Sequence, residues 1–447
     1  MDYLSQYRQK VAKPEEAVML VKSGDWVDYS FAANMANSLD KALAARKDEL
    51  KDIKIRGGLA LRPIAAVESD TLRETFTYCS WHFSGYERKL HDKGLCNYIP
   101  MLYRNKPLFY NQNLEVDVAM VTVTPMDKHG YFNFSLTNSA TRSILNKAKI
   151  VIVEVNQSFP RAQGGLDDCI HISEVDAIVE GDNPKPAVLG TPKPTETDII
   201  IAGLILEEIH DGATIQLGIG GMPNTVGTML ANSDLKDLGM HTEMLVDAYY
   251  KMYRAGKLTN RKKNIHRNKG VWTFSLGSEQ LYQWIDDNPG LASYPVNYTN
   301  NPNVMSQLEQ LITINNCVAV DLYGQICSES SGYRQISGTG GQLDFVTGGY
   351  LSPVGKSFVC FSSTYTDKDG HIHSRITPNL AAGSIVTDPR CQVHYLVSEY
   401  GKVNLAGRST WERAEMIIGI AHPQFREELI KEAQLQNIWR RSNTISI

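Results

Sequence analysis

At 447 residues the chain is two to three times the usual domain size, so at least two hydrophobic cores are expected. Hydrophobic residues at 42% and charged residues at 21% exclude a disordered or fibrous protein. Forty-five Lys+Arg against 49 Asp+Glu leave a net charge of −4 with no basic run, which excludes nucleic acid as the expected partner.

The seven cysteines (Cys79, Cys96, Cys169, Cys317, Cys327, Cys360 and Cys391) include no C-x-x-C pair, so neither a zinc cage nor a disulfide framework is expected. A reducing cytoplasm fits that pattern. The N-terminal MDYLSQYRQKVAKPEEA lacks the apolar core of a signal peptide, and no run of eighteen apolar residues is present to cross a membrane.

In chain order, Pro14-Glu15-Glu16 starts a helix expected to stop at Gly24, as the helix of the second half is at Gly212, and an alternating strand, WVDY, follows. The segments 116–125 and 148–156, dense in Val and Ile, read as strands buried on both faces. Between Asp182 and Asp198, Pro184, Pro186, Pro192 and Pro194 remove backbone donors and disfavour helix, marking a linker over 183–198 between domains at 1–182 and 199–447. Thr195 and Asp198 are spaced as a capping box ahead of IIIAGLILEEI, the run expected of a buried helix. Gly212 and the strand TIQL follow, so the second half opens as the first does. This pattern fits either a duplicated α/β domain or the recurrence of a common helix–Gly–strand unit. Further strands are expected in VAVDLYG (318–324) and CQVHYLVSEYG (391–401). Strands and helices alternating in this way predict parallel or mixed sheets covered by helices.

The strongest local feature is TIQLGIGGMPNTVG (214–227), in which a strand runs into Gly218-Ile219-Gly220-Gly221 and Pro223 stands where a first helical residue would. Such a turn cradles a phosphate or a thioester oxygen, or is simply a tight strand-to-helix connection. The dinucleotide fingerprint fails, because the sixth position from Gly218 is Pro223 rather than Gly or Ala. A second glycine cluster, QISGTGGQLDF (335–345), offers the amides of Gly338, Gly340 and Gly341 as an oxyanion site or as a surface loop. No G-x-S-x-G is present, so a serine nucleophile lacks support. Glu243, between Gly239 and an apolar helical segment, reads either as a covalent nucleophile or as a first-turn acid complementing a helix dipole. His371 and His373 alternate on a strand without an acidic triad and are taken as polar loop-strand residues, so no metal site is expected. Met19, Met120, Met240 and Met244, with the Tyr-rich segment 249–253, are assigned to packing.

Taken together, LGIGGMP (217–223), HTEM (241–244), GTGGQLDF (338–345), VSEYG (397–401) and IAHPQF (420–425) resemble the acetyl-CoA hydrolase/transferase family. TPMDKHGYF (124–132) and HISEVD (171–176) extend the likeness through the first half. Within the family the chain is most similar to the CoA-transferases of butyryl-CoA with acetate and of 4-hydroxybutyrate. The resemblance implies two related open α/β domains of the family I CoA-transferase (NagB-like) type, an active site in the cleft between them, and a homodimer or higher homo-oligomer. It implies that Glu243 carries CoA as a glutamyl thioester and that Gly218, Ile219, Gly220, Gly221, Met222, Val318, Gly341 and Ser363 contact CoA. Coenzyme A is then substrate and covalent intermediate, with no tightly bound cofactor, and the partners are acyl-CoA and short-chain carboxylates. Butyryl-CoA is the favoured donor. Propionate or 4-hydroxybutyrate exchange, acyl-CoA hydrolysis on the same scaffold and non-catalytic acyl-CoA binding are the alternatives.

Overall fold

The structure is a computed structural model that describes residues 2–190 and 193–443. Its chain divides into two compact units. One comprises the residues up to Gly190 together with Val271–Thr299; the other comprises the residues after Gly190 as far as Gly270 and those from Asn300 onward. The expected division at 183–198 differs from this by the 271–299 segment, which joins the first unit through main-chain bridges such as Thr137 with Phe274 and Gly164 with Ser293. The proline-rich stretch is itself bound to that segment: Leu189 N–H donates to the Gly277 carbonyl at 3.1 Å, and Tyr282 Oη donates to the Ala187 carbonyl at 2.6 Å. Pro192 lies outside the described residues.

The first unit is built on a sheet with strands, among the described residues, in the order 97–98, 76–80, 53–57, 26–28, 116–123, 148–155 and 177–180, all neighbours parallel. Val118, Met120 and Ile152 are fully buried, as a strand covered by helices on both faces requires. The strands expected over 116–125 and 148–156 are therefore present.

The second unit repeats the plan. Its sheet runs 239–240, 214–217, 311–316, 356–360, 395–398 and 401–404, parallel except for the last pair. VAVDLYG contributes only Ala319–Asp321, and to a small side sheet rather than the main one. The expected strand at 391–401 resolves into Tyr395–Ser398 and an antiparallel Gly401–Asn404. Thr195 and Asp198 do form a capping box at the head of the Glu196–Leu206 helix. That helix is not buried all round: Ile201, Ala202 and Ile205 face the core, whereas Ile199 and Ile200 are exposed. Gly24 and Gly212 lie beyond the helices they were expected to stop. Each sits just before its strand at a φ of +92° and +83°, a left-handed conformation that favours glycine. Met120, Met240 and Met244 are core residues as expected, but Met19 is 59% exposed.

Candidate active site

In the second sheet the strand order reverses at 214–217, with 239–240 on one side and 311–316 on the other. Open α/β sheets bind ligands beyond the carboxyl ends of their strands at such a switch point, because the connections diverge there and leave a crevice. Gly218 leaves the first of these strands, Glu243 follows the second, Val318 the third, and Ser363 the 356–360 strand.

The glycine turn is tightly specified. Gly218 N–H donates to the Ile314 carbonyl at 2.8 Å, and a Cβ at Gly218 would lie 2.9 Å from Asn315 Oδ1. Gly220 has φ +130°, open to glycine but strained for any other residue, and a Cβ there would meet Asn316 Nδ2 at 2.9 Å. The helix begins at Gly221, so Pro223 occupies its third position rather than its first; in the first turn its missing N–H still breaks no intrahelical bond. Ile219 is 45% exposed, whereas Met222 is buried. Tyr249 braces the strand end, its Oη accepting from Leu217 N–H at 2.8 Å.

Glu243 lies in the connection between the Gly239–Met240 strand and the Asp247–Arg254 helix, not in the helix's first turn, where Asp247 stands instead. Its carboxylate is held by Asn300, whose Nδ2 donates to Oε2 at 2.7 Å and to Asp344 Oδ2 at 3.3 Å. The Gly341 N–H also donates to it. A Cβ at position 341 would overlap both Glu243 Oε2 and Asn300 Nδ2, so the residue must be glycine for the carboxylate to sit there. Burial is the main force on Glu243 and the neighbouring Asp344 charge adds to it; against the donations from Asn300 and Gly341, they push its pKa up to about 7. A carboxylate that is desolvated and aimed by two donors is a better nucleophile than one in water.

Val318 is half-buried, with its N–H on the Cys327 carbonyl and its carbonyl on Arg375. Ser363 is fully buried and committed elsewhere: N–H and Oγ donate to Glu399 at 2.8 and 2.5 Å, and its carbonyl accepts from Arg375 N–H. Asn300 and Asp344 are the site residues that sequence reasoning missed. Asp344 lies inside the GTGGQLDF motif, but Asn300 has no local signal. His371 and His373 pair with Asp367 on an exposed hairpin, where Asp367, Asp369 and His371 form the one group with metal-ligand spacing among the described residues. Asp367 Oδ1 there already caps the turn, accepting from the N–H groups of Asp369 and His371.

Models of the acetyl-CoA hydrolase/transferase N-terminal and C-terminal domains match residues 1–189 and 277–433. The chain belongs to the acetyl-CoA hydrolase/transferase family. It is 52% identical to a butyryl-CoA:acetate CoA-transferase of Anaerostipes caccae, over 99% of this chain and 100% of that one. It is 38% identical to a 4-hydroxybutyrate coenzyme A transferase of Clostridium kluyveri, over 97% and 99%. Among solved structures, RipA from Yersinia pestis is 35% identical with a TM-score of 0.90, covering 98% of this chain and 100% of that one. A 4-hydroxybutyrate CoA-transferase from Porphyromonas gingivalis is 30% identical with a TM-score of 0.80, over 97% and 100%. Among the described residues no helix of this family member is long and apolar enough to cross a membrane.

Proposed function

We propose that this chain transfers CoA from a short-chain acyl-CoA, butyryl-CoA foremost, to acetate through a glutamyl-CoA thioester on Glu243. The observation that carries the reading is the Glu243 carboxylate clasped between Gly341 N–H and Asn300 Nδ2, at a position that requires residue 341 to be glycine. Relatives named for this reaction at 52% and 51% identity support the same assignment, as against acetyl-CoA hydrolases at 24% and 27%.

With Oε2 held by Asn300 Nδ2, Oε1 is the oxygen that attacks the acyl-CoA carbonyl. The carbon–sulfur bond breaks, leaving an acyl-glutamyl anhydride and CoA thiolate. The thiolate attacks the glutamyl Cδ, the free acid departs as its carboxylate, and CoA is joined to Glu243. Acetate then attacks the glutamyl thioester, and the returning thiolate takes the acetyl group, restoring the Glu243 carboxylate. The acyl activation is kept throughout, as thioester or as anhydride, which is why the carrier must itself be a carboxylic acid. When thiolate adds to Cδ, the charge that develops on Oε2 faces Asn300 Nδ2, with the Gly341 N–H on the same carboxyl; each such donor contributes about 2.7–4 kcal/mol to comparable steps. Gly218, Ile219, Gly220, Gly221 and Met222, with Val318, are the proposed CoA contacts. Ser363 has its donors on Glu399, which leaves it a supporting rather than a direct part. CoA binding energy remote from the sulfur holds thiolate and anhydride together between steps.

Incubation with butyryl-CoA, borohydride reduction and peptide mapping by mass spectrometry test the reading. The expected result is a CoA adduct before reduction and, after borohydride, an alcohol at Glu243 with CoA thiol released, with acetate required for rapid CoA turnover. Rapid CoA release without acetate would instead make the chain a hydrolase, and the absence of any adduct would refute the covalent route.

A further inference from the structure

Two buried carboxyl groups that this chemistry does not use hold the loop that carries Gly341. Glu329 and Asp388 are 2% and 0% exposed. Ahead of Gly340, Thr339 Oγ1 donates to Glu329 Oε2 at 3.0 Å. Just past Gly341, Gln342 Nε2 donates to Asp388 Oδ2 at 2.7 Å and to Ser328 Oγ at 2.8 Å. The approach to the loop is pinned to the same residues, since the Ile336 and Ser337 N–H groups both donate to the Glu329 carbonyl, at 2.8 and 3.2 Å. The carboxyls are braced in turn: Thr387 Oγ1 donates to Glu329 Oε1 at 3.0 Å, and the Asp388 main chain bridges to Ile326. Gly340 lies between the two fastenings at φ +55°. A loop of glycines has little stiffness of its own, so its attachments decide where the Gly341 N–H points.

We propose that Glu329 and Asp388 act as a pair of positioning residues that clamps the 338–341 loop, setting the Gly341 N–H against the Glu243 carboxylate. The inference rests on the reading of Glu243 as the CoA carrier. Two carboxyls in one dry site do not both ionise readily. Burial first, and the Glu329 charge second, push Asp388 up to about 7 against the donation from Gln342. Asp388 Oδ1 has no hydrogen-bond partner among the described residues, which leaves it able to carry a proton. The titratable groups facing Asp388 are Glu329 and the Cys317 thiol, and Cys317 in turn faces Arg375 and Cys327. With one proton between them the two carboxyls hold the loop. As pH rises past about 7 that proton leaves; the Gln342 donation favours the ionised Asp388, but its buried charge and that of Glu329 then oppose each other and strain the two fastenings apart.

The test follows Glu243–CoA formation from butyryl-CoA in the full chain, by rapid quench and intact mass, from acid to alkaline pH. Asp388→Asn keeps the shape and the accepting oxygen while removing the ionisable group; it is expected to abolish the alkaline fall in rate and keep the acid limb set by Glu243. A Thr339→Val/Gln342→Met double variant leaves both carboxyls in place, which covers the case in which the buried Asp388 variant does not fold. It is expected to slow adduct formation by about 10- to 100-fold, with KM for butyryl-CoA little changed. An unaltered alkaline limb in Asp388→Asn, or an unaltered rate in the double variant, overturns the clamp. A wild-type chain that forms no adduct on Glu243 overturns the underlying reading as well.

Discussion

The Glu243 carboxylate occupies the space that a side chain at Gly341 would need, so the two residues are matched: one supplies the acid, the other the absence of a Cβ and an N–H to hold it. The backbone at Gly341, with φ −105°, is ordinary for any residue, so the requirement for glycine here is one of space rather than conformation.

Gly341→Ala is therefore expected to fold, with far-UV circular dichroism like that of the parent, and to displace the carboxylate. Losing an aligned oxyanion donor typically costs about 100- to 1,000-fold, and rapid-quench measurement of the Glu243–CoA adduct should show a loss of that order.

Asn300 separates two acids, Glu243 and Asp344, and donates to both. Asn300→Asp replaces that donor with a third carboxyl. The carboxylate form of Glu243 is then harder to reach, and the acid limb of kcat/KM against pH should move upward by about one pH unit or more. Asn300→Ala, which only removes the donor, should move it in the same direction by less.

The raised pKa of Glu243 has a consequence for stability whose sign is fixed. A carboxyl that titrates near 4.5 when unfolded and at about 7 when folded holds its proton more tightly in the folded state. Its contribution is fully present below the unfolded value and is lost as pH rises through about 7. Glu243→Gln, which cannot ionise, should melt at a higher temperature than the wild type at pH above that window, with the difference shrinking under acid conditions. Differential scanning calorimetry at several pH values checks this.

Gly220 is limited by conformation as well as space, with φ +130° and Asn316 Nδ2 close to where a Cβ would lie. Gly220→Ala should destabilise the chain by about 1 kcal/mol or more and raise KM for acyl-CoA through the distorted turn. The acid limb set by Glu243 should stay in place, which separates a damaged CoA cradle from a damaged nucleophile.

The sheets were legible in the sequence because strands covered on both faces are dense in Val and Ile, as 116–123 and 148–155 are despite Asp117, Thr122, Lys149 and Glu154. The 196–206 helix misled for the opposite reason: an apolar run carries no periodicity, so its exposed Ile199 and Ile200 could not be told from the buried Ile201 and Ile205. Glu243 was ambiguous by composition alone, since an acid ahead of a helix usually serves the helix dipole, and only the family resemblance favoured a nucleophile. Asn300 could not be read at all. It lies 57 residues from Glu243, and nothing local marks an asparagine whose partner is brought to it by the sheet. The fastenings at Glu329 and Asp388 were hidden in the same way, each being an acid whose burial appears only once the 338–341 loop is folded over it.

The excursion of Val271–Thr299 into the first unit bears on synthesis. A ribosome releases the chain from its N-terminus, so the opening half cannot finish folding when the proline-rich stretch emerges; it must wait for position 299. A gene cut at that stretch would yield a fragment lacking part of its own interior, and Glu243 is translated during the wait, before its partner Asn300 exists to receive it.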